Sequence, residues 1–319
     1  MRKSPKKTVI TSLIIVKLLV IIYLISPGLK GFGETLPDEP VPEAPPSNIA
    51  YRLPDEVSFA GERVPLEYFD TRESLDREIL ISAYRHSSTI LIIKRANRYF
   101  PVIEKILEKN GVPDDLKYLV AAESEFSNAV SPRGAAGFWQ IMPATGKEAG
   151  MEITTITDER YHLEKSTQFA CDYLLKSYER YGSWALAAAS YNGGRAAIDE
   201  QIRIQKENNY YDLLLTEETA RYVFRAIAYK LVISDPAQYG FDIREEEYYP
   251  PLNYYEVRVT AAIDDFADFA KNHGTNYKLL KFFNPWLRRP SFTPRPGKEY
   301  LIKIPVEGER MTGQREEDF

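Results

Sequence analysis

The sequence contains very few of the residues that form disulfides or zinc sites. Cys171 is the only cysteine among 319 residues, so no disulfide can form within the chain and stability must come from packing. Its position in a helical pattern favours a small buried residue over a nucleophile. Neither an HExxH motif nor Cys/His ligand spacing connects His86, His162 and His273, which gives little support to a catalytic zinc.

Acidic residues outnumber basic ones over most of the chain. Of the 41 basic residues, six lie in residues 1–30, which contain no acid. The rest of the chain therefore carries 35 basic against 46 acidic residues, a net charge of −11. An acidic body argues against nucleic acid as a partner. The 22 tyrosines would suit a carbohydrate groove, although composition alone favours ordinary core and surface positions.

An apolar segment near the N-terminus predicts export. The run from Val9 to Ser26 is interrupted by Lys17, and four basic residues precede it. Residues 1–33 are therefore expected to be a signal peptide or an uncleaved membrane anchor. Residues 34–69 follow as a proline-rich linker and lead-in. The expected location is the periplasm or cell envelope, with membrane attachment if the N-terminal segment is retained.

The apolar spacing predicts one large helical domain. From Asp70 to Asp235 the spacing is mostly helical and no alternating strand pattern intervenes, so residues 70–245 are predicted to form an all-α domain. Gly111 is expected to end the second helix. The predicted helices cover residues 72–96, 99–109, 143–149, 163–181, 184–192 and 217–234, with one more that begins near Pro113.

A different pattern follows Phe241. Residues 250–306 predict a small strand–helix–helix–strand module, and residues 307–319 a polar tail. The predicted strands cover residues 254–259 and 299–304, and the predicted helices 264–272 and 276–283. The expected fold class is therefore mainly α, a helical domain followed by a small α+β module.

One carboxylate falls on the apolar side of its predicted helix. At about 100° per residue, Leu116, Leu119 and Val120 form one stripe, Glu123 lies in the middle of it, and Glu125 lies almost opposite, toward solvent. A carboxyl among apolar neighbours loses hydration, so its pKa rises. Such a group can protonate the leaving oxygen of a glycoside near neutral pH. On this feature alone, a buried ion pair with Arg or Lys is the alternative.

Four motifs occur in order between residues 98 and 240. They are Ala122-Glu123-Ser124; Gly134-Ala135-Ala136-Gly137-Phe138-Trp139-Gln140-Ile141-Met142-Pro143, preceded by Ser131-Pro132; Ser190-Tyr191-Asn192-Gly193-Gly194; and Glu218-Thr219-Ala220-Arg221-Tyr222-Val223. This series resembles the catalytic domain of the soluble-type (SLT) lytic transglycosylases, and within them the membrane-bound D group. The resemblance implies a goose-lysozyme-like helical fold.

The resemblance implies one catalytic residue and five substrate-binding residues. Glu123 stands where the family has its catalytic glutamate. The expected substrate-binding residues are Ser124, Gln140, Tyr191, Asn192 and Tyr222. Gln140 can exchange hydrogen bonds with sugar substituents or an N-acetyl group, and a surface amide is the alternative. Phe138 and Trp139 replace Leu and Met of the family's Gly-Leu-Met-Gln segment, which could reshape the groove.

The other binding residues each have a plainer interpretation. Asn192 could merely cap a helix before two glycines. Tyr191 could be a core residue, or could orient Glu123 through its hydroxyl. Tyr222 lies nearly opposite the core stripe of its helix, which favours a cleft wall, with a plain surface tyrosine as the alternative. Ser124 could hydrogen-bond nearby backbone.

The resemblance implies a reaction that needs one carboxyl and neither a metal nor an organic cofactor. Glu123 would protonate the oxygen between N-acetylmuramic acid and N-acetylglucosamine in peptidoglycan glycan strands, then act as base while the muramoyl C6 hydroxyl closes onto C1. The motifs supply no second carboxylate, and nothing in the sequence places Asp158 or Glu159 opposite Glu123. A hydrolytic muramidase and a non-catalytic wall-binding scaffold are the alternatives.

The C-terminal module resembles a degenerate LysM domain, a peptidoglycan-binding unit. The residues that carry this resemblance are Val257, Val259, Ile263, Phe266, Phe269, Asn284-Pro285, Gly297 and Leu301-Ile302-Lys303-Ile304-Pro305. The usual Gly-Asp-Thr-Leu turn is replaced by Ala262-Ile263-Asp264-Asp265. Sugar binding and a structural role against the catalytic domain therefore both stay open.

Overall fold

A computed structural model describes residues 50–311 of the chain. The predicted export segment (1–33), the predicted linker up to residue 49 and the tail beyond residue 311 lie outside the described residues. Within residues 50–311, no helix combines the length and apolarity needed to cross a membrane.

Ten helices and two small antiparallel sheets make up the described chain. The first part contains the strands β1 (Ser58–Phe59) and β2 (Glu62–Arg63), then the helices α1 (Phe69–Tyr84), α2 (His86–Asn110), α3 (Tyr118–Ser124), α4 (Pro143–Glu148), α5 (Leu163–Tyr181), α6 (Trp184–Gly193), α7 (Arg195–Gln205) and α8 (Glu217–Ser234). The second part contains β3 (Tyr254–Val259), α9 (Phe266–Asn272), α10 (Tyr277–Phe283) and β4 (Tyr300–Pro305). The predicted mainly helical class with a small α+β module is confirmed.

Helix α8 is the central element of the helical part. It packs against α1, α3 and α6. Between Tyr222 and Val232, every residue is therefore buried except Arg225, Lys230 and Leu231. Helix α6 can approach it closely because its buried positions are largely alanine. Cys171 of α5 is fully buried, and burial raises the pKa of its thiol to about 12, which confirms the predicted core role.

The first two helices divide at a different residue from the predicted one. We expected a break between residues 96 and 99, whereas the break lies at Arg85, and α2 continues through Pro101 to Asn110. Proline removes one intrahelical hydrogen bond, but the turns around it are held by buried residues such as Ile93 and Ile103. The predicted stop at Gly111 is confirmed, with φ at 68°.

Two elements were missed in the sequence analysis. Helix α7 begins directly after α6 and buries only Ile198 completely. The β1–β2 hairpin has strands of two residues each. Leu53, Phe59 and Val64 nevertheless belong to the same core as the helices, so the helical domain begins before the predicted boundary at residue 70.

The C-terminal module is docked mainly on residues 152–164 of the helical domain. Strands β3 and β4 pair from Tyr254–Pro305 to Val259–Tyr300, and α9 and α10 lie between them in sequence. The Asp158 amide donates to the Trp286 carbonyl at 2.9 Å, and the Arg288 amide donates to the Ile156 carbonyl at 2.8 Å. These backbone bonds fix the module to the domain independently of side chains.

Charged side chains add a second set of contacts across this junction. Glu152 is 6% exposed and accepts hydrogen bonds from Lys298 and from the Tyr300 hydroxyl, both at 2.8 Å. Lys303 pairs with Glu164 of α5. Burial alone would raise the pKa of Glu152, but the hydrogen bonds from the module and from Thr157 lower it to about 2.

Candidate active site

The Glu123 carboxyl lies at the end of a short helix, in contact with Tyr222. Helix α3 stops at Ser124 because Glu125 and Phe126 both adopt left-handed backbone conformations, with φ at 52° and 56°. Glu123 keeps partial exposure, and the Tyr222 hydroxyl donates to its Oε1 at 2.7 Å. Among residues 50–311, no Lys or Arg forms an ion pair with Glu123, unlike the alternative considered from the sequence.

Opposing effects set the pKa of Glu123. Burial is the largest and raises the pKa; the Tyr222 hydrogen bond and the charge of Arg225 lower it, and the charge of Glu218 raises it. The result is a pKa of about 7, against an ordinary value of 4.5. The carboxyl therefore holds its proton for half of the time near neutral pH, as a general acid must.

Tyr222 is buried, which corrects the prediction of a cleft wall. Only 1% of Tyr222 is exposed, because α8 is enclosed by helices on the side that we expected to be free. Its hydroxyl, rather than its ring, reaches the site. Glu125, predicted to face solvent, is partly exposed and pairs with Arg85 at 2.6 Å.

Tyr191 does not orient Glu123 directly. Its hydroxyl donates to the Trp139 carbonyl at 2.8 Å, so the orienting contact that we considered for Tyr191 belongs to Tyr222. Tyr191 is nevertheless close: burial, and then the charge of Glu123, raise the pKa of its hydroxyl. Tyr191 thus links the helix α6 to the loop that carries Gln140.

That loop, residues 134–141, is held in a strained shape by its own backbone and by Arg160. Gln140 adopts a φ of 45° and its amide donates to the carbonyls of Ala129 and Gly137, at 3.1 and 2.8 Å. The Arg160 guanidinium donates to the carbonyl of Gly134 at 2.8 Å. A Cβ at Gly137 would lie 2.0 Å from the Arg160 carbonyl oxygen, so only glycine fits there.

Two stretches of the chain match models of known protein families. Residues 100–214 match the family model described as Transglycosylase SLT domain, and residues 255–308 match that of the Soluble lytic transglycosylase C-terminal LysM-like domain. The helical part of the chain thus contains a transglycosylase SLT domain, and the docked module is a LysM-like domain. Of the predicted site residues, Tyr222 lies beyond the first match and the others lie inside it. The second match covers the docked module.

Two curated proteins are similar in sequence to this chain. The membrane-bound lytic murein transglycosylase D of Escherichia coli (strain K12) is 28% identical over 254 residues, 77% of this chain and 54% of the relative. A putative tributyltin chloride resistance protein of Alteromonas sp. (strain M-1) is 31% identical over 106 residues, 33% of this chain and 51% of that protein. The chain thus spans about half the length of the curated relatives it matches.

Two solved structures match about half of this chain, with low TM-scores and low identity. One is an inactive mutant of the lytic transglycosylase Slt of Pseudomonas aeruginosa, with a TM-score of 0.34 and 18% identity over 47% of this chain and 26% of that one. The other is the 70 kDa soluble lytic transglycosylase of Escherichia coli, with a TM-score of 0.36 and 16% identity over 48% of this chain and 27% of that one.

The remaining SLT motif residues are engaged with protein groups. The Ser124 hydroxyl donates to the Val120 carbonyl at 3.3 Å, the backbone contact considered from the sequence. Asn192 accepts a hydrogen bond from the Thr219 hydroxyl at 2.9 Å, so it connects α6 to α8 instead of capping its own helix. Substrate binding by Ser124, Gln140, Tyr191, Asn192 and Tyr222 stays a prediction.

The sequence reasoning missed three charged residues that lie on α8 or contact it. Glu218 and Arg225 act on the pKa of Glu123, and Glu78 pairs with Arg221 on the same helix. Positions 218, 222 and 225 share one side of α8 at helical spacing, and this repeat could have revealed two of them. Glu78 lies far away in sequence and gave no signal.

The other acids that we considered contact cations elsewhere. Asp158 pairs with Arg160, and Glu159 with Lys165 and Lys298. Within residues 50–311, no group of His, Cys, Asp or Glu side chains converges as a set that could hold a metal ion.

Proposed function

We propose that this chain is a peptidoglycan lytic transglycosylase that uses Glu123 first as acid and then as base. Cleavage would fall at the β-1,4 bond between N-acetylmuramic acid and N-acetylglucosamine, without water. The observation that carries this proposal is a carboxyl with a pKa of about 7, in contact with a tyrosine hydroxyl and without a paired cation in the described residues. The match to the SLT family model supports peptidoglycan as the substrate.

The first step breaks the glycosidic bond. Glu123, protonated, gives its proton to the bridging oxygen, which leaves with the bonding electrons as the hydroxyl of the departing sugar. The acetamido oxygen of the muramoyl residue donates an electron pair to C1 and holds its positive charge in a cyclic oxazolinium ion. Tyr222 donates to Oε1, so the proton to be transferred is carried by the other carboxyl oxygen.

The second step closes the new ring. Glu123, now a carboxylate, removes the proton from the muramoyl C6 hydroxyl, and O6 attacks C1 while the acetamido oxygen leaves. The product carries a 1,6-anhydro end, and Glu123 regains its proton for the next cycle. A pKa close to ambient pH serves both steps, because the same group must release a proton and then recover it.

Glu218 is the acid to test as a second carboxylate. It is exposed and its charge acts on Glu123, so it is a candidate base for a water molecule if one is used. An inverting hydrolysis would need such a second carboxylate, whereas the proposed route and a hydrolysis through the same oxazolinium ion need none. The product ends therefore separate ring closure from hydrolysis, and Glu218→Gln shows whether a second carboxylate takes part.

Mass spectrometry of products from purified peptidoglycan tests the proposal. Wild type and Glu218→Gln should both release ends lighter by one water than hydrolysed ends, and Glu123→Gln should release nothing above background. Reducing ends from the wild type would establish a muramidase instead, and their loss in Glu218→Gln would show that it uses Glu218 as a second carboxylate. No products from the folded wild type would favour a wall-binding scaffold.

The proposal also covers the location of the enzyme and the role of its C-terminal module. We propose that the enzyme acts in the cell envelope, exported by residues 1–33 and attached to a membrane if they are retained. For the LysM-like module we propose a structural role, because its contacts to residues 152–164 are made by buried backbone and charged groups. Detection of the full chain in membrane and soluble fractions, with and without residues 1–33, tests the attachment.

A further inference from the structure

A buried carboxylate contacts the helix that carries Tyr222, and the proposed mechanism does not use it. Glu78 of α1 is 1% exposed. Its Oε1 accepts a hydrogen bond from Arg221 Nε at 2.7 Å, and its Oε2 lies 3.7 Å from Arg225 Nε. Arg77 approaches from the surface, with its Nε 3.4 Å from Oε1. A buried acid costs free energy unless cations compensate its charge, and here two of the three are on α8.

Those two arginines lie beside the residue that contacts Glu123. Arg221 precedes Tyr222 directly, and Arg225 follows it by one helical turn. The charge of Arg225 reaches Glu123 and lowers its pKa, yet the only acid with which Arg225 forms an ion pair in the described chain is Glu78. Arg225 therefore has two carboxyls within electrostatic reach and pairs with one of them.

We propose that Glu78 is a positioning residue that holds the Arg225 guanidinium away from the Glu123 carboxyl. This inference rests on the proposed function, since it concerns the state of the same acid. If Arg225 paired directly with Glu123, the carboxylate form would be stabilised and the proton needed for bond cleavage would be lost at neutral pH. Glu78 offers a competing partner with a full negative charge.

Among the groups around Glu123, Arg225 is the cation that acts on its pKa. On α8 these groups are Tyr222 and the exposed Glu218, and on α6 the neutral hydroxyl of Tyr191. The nearby cation Arg85 is paired with Glu125 at 2.6 Å. Arg221 is bound to Glu78 and also lies 3.5 Å from Glu217.

The test is the pH dependence of kcat/KM in two single variants and their combination. Glu78→Gln keeps the size of the side chain and an oxygen for Arg221, but removes the charge that attracts Arg225. The alkaline limb of the profile should then move to lower pH by about one unit, which lowers the rate at pH 8 about tenfold with little change at pH 5. Arg225→Gln should move the limb in the opposite direction.

The combined variant decides whether the effect passes through Arg225. In the Arg225→Gln background, Glu78→Gln should leave the alkaline limb in place. A limb unmoved by Glu78→Gln alone, or a shift that persists without Arg225, would overturn the inference. If Glu78→Gln does not fold, the upward shift expected of Arg225→Gln still tests it, and no shift there would overturn it.

A matched control and the product assay keep the two proposals apart. Glu104→Gln removes a carboxylate that pairs with Lys117 at 2.6 Å, away from Glu123, and should leave the profile unchanged. Circular dichroism and thermal unfolding report whether each variant folds. If the wild type makes no anhydro ends, the proposed function fails; if it makes them and Glu78→Gln keeps the wild-type profile, only the role of Glu78 fails.

Discussion

At Glu123, burial and a single donated hydrogen bond act on the pKa in opposite directions. Burial disfavours the charged form, and the Tyr222 hydroxyl at 2.7 Å favours it. Burial prevails, so the pKa rises to about 7. The tyrosine thus keeps the acid from becoming too weak to release its proton, and it also fixes the direction of the carboxyl.

Replacing Tyr222 with phenylalanine should separate these two effects. Without the donor the pKa of Glu123 rises further, so the alkaline limb of kcat/KM should move up by roughly one unit. The rate at the optimum should fall about 10–100-fold because the carboxyl loses its orientation. A pH–rate profile on purified glycan strands measures both.

Tyr191→Phe is the matched comparison for this prediction. Its hydroxyl donates to the Trp139 carbonyl, so its loss should leave the alkaline limb where it is, whatever happens to the rate. Equal limb shifts in the two variants would show that the hydroxyl contact of Tyr222 does not set the pKa of Glu123.

The sequence predicted the surroundings of Glu123 but not those of Tyr222. The helical repeat around Leu116 and Leu119 was enough to predict that Glu123 faces apolar surroundings. The same reasoning failed for Tyr222, because a helix enclosed by neighbours on several sides has no single core stripe. The contact between positions 123 and 222 joins two distant helices, and no local pattern carries it.

Among the elements, the loop over residues 134–141 depends most strongly on a particular backbone shape. Gly137 has a φ of 80° and its α-carbon faces the Arg160 carbonyl so closely that a Cβ would lie 2.0 Å from the oxygen. Gly150 has nearly the same φ, 82°, with nothing within 4 Å of the added Cβ. The pair therefore separates backbone strain from steric overlap.

Gly137→Ala should destabilise the fold more than Gly150→Ala. The strained backbone alone should cost about 1–2 kcal/mol in either variant, and the overlap at Gly137 should bring its total above about 3 kcal/mol. Denaturant unfolding measures both free energies. Equal costs would mean that the loop moves away from Arg160 without penalty.

The limits of three helices, α5, α6 and α8, were predicted to within one residue. The break at Arg85 escaped detection because apolar spacing continues through it. Helix α7 was missed although Ile198 and Ile202 recur along it at helical spacing. The short strands of the module were predicted within one residue, since proline and glycine bound them.

Across the whole molecule, the C-terminal module and the candidate site are connected through one segment. Residues 156–158 bind the module through backbone hydrogen bonds, and Arg160, two residues later, holds the loop that carries Gln140. The sequence could predict the module but not its docking, because the buried pairs of Glu152 and Glu164 join residues more than 130 positions apart.

Glu152→Gln tests the strength of this docking. The variant removes a buried charge and leaves Lys298 with Glu159 alone, at 3.3 Å, so the free energy of unfolding at pH 7 should fall by about 1–3 kcal/mol. The folded pKa of about 2 lies below the ordinary 4.5, so the stabilisation is present above pH 4.5 and is lost as pH falls toward 2. The difference from wild type should therefore narrow in acid.

Glu256→Gln serves as control, since Glu256 is an exposed carboxylate of the same module. It should change the free energy of unfolding by less than about 0.5 kcal/mol. Similar effects of the two variants, or a Glu152 effect that does not depend on pH, would argue that the charged contacts add little to the backbone docking.

The central claim, that Glu123 holds a proton near neutral pH, is tested most directly by titrating that carboxyl. Infrared difference spectra or carbon NMR of wild type against Glu123→Gln isolate its signal from the other acids. We expect a midpoint close to pH 7, shifted upward in Tyr222→Phe. A midpoint near 4.5, the ordinary value for glutamate, would contradict the account, because the group would then be charged when the substrate arrives.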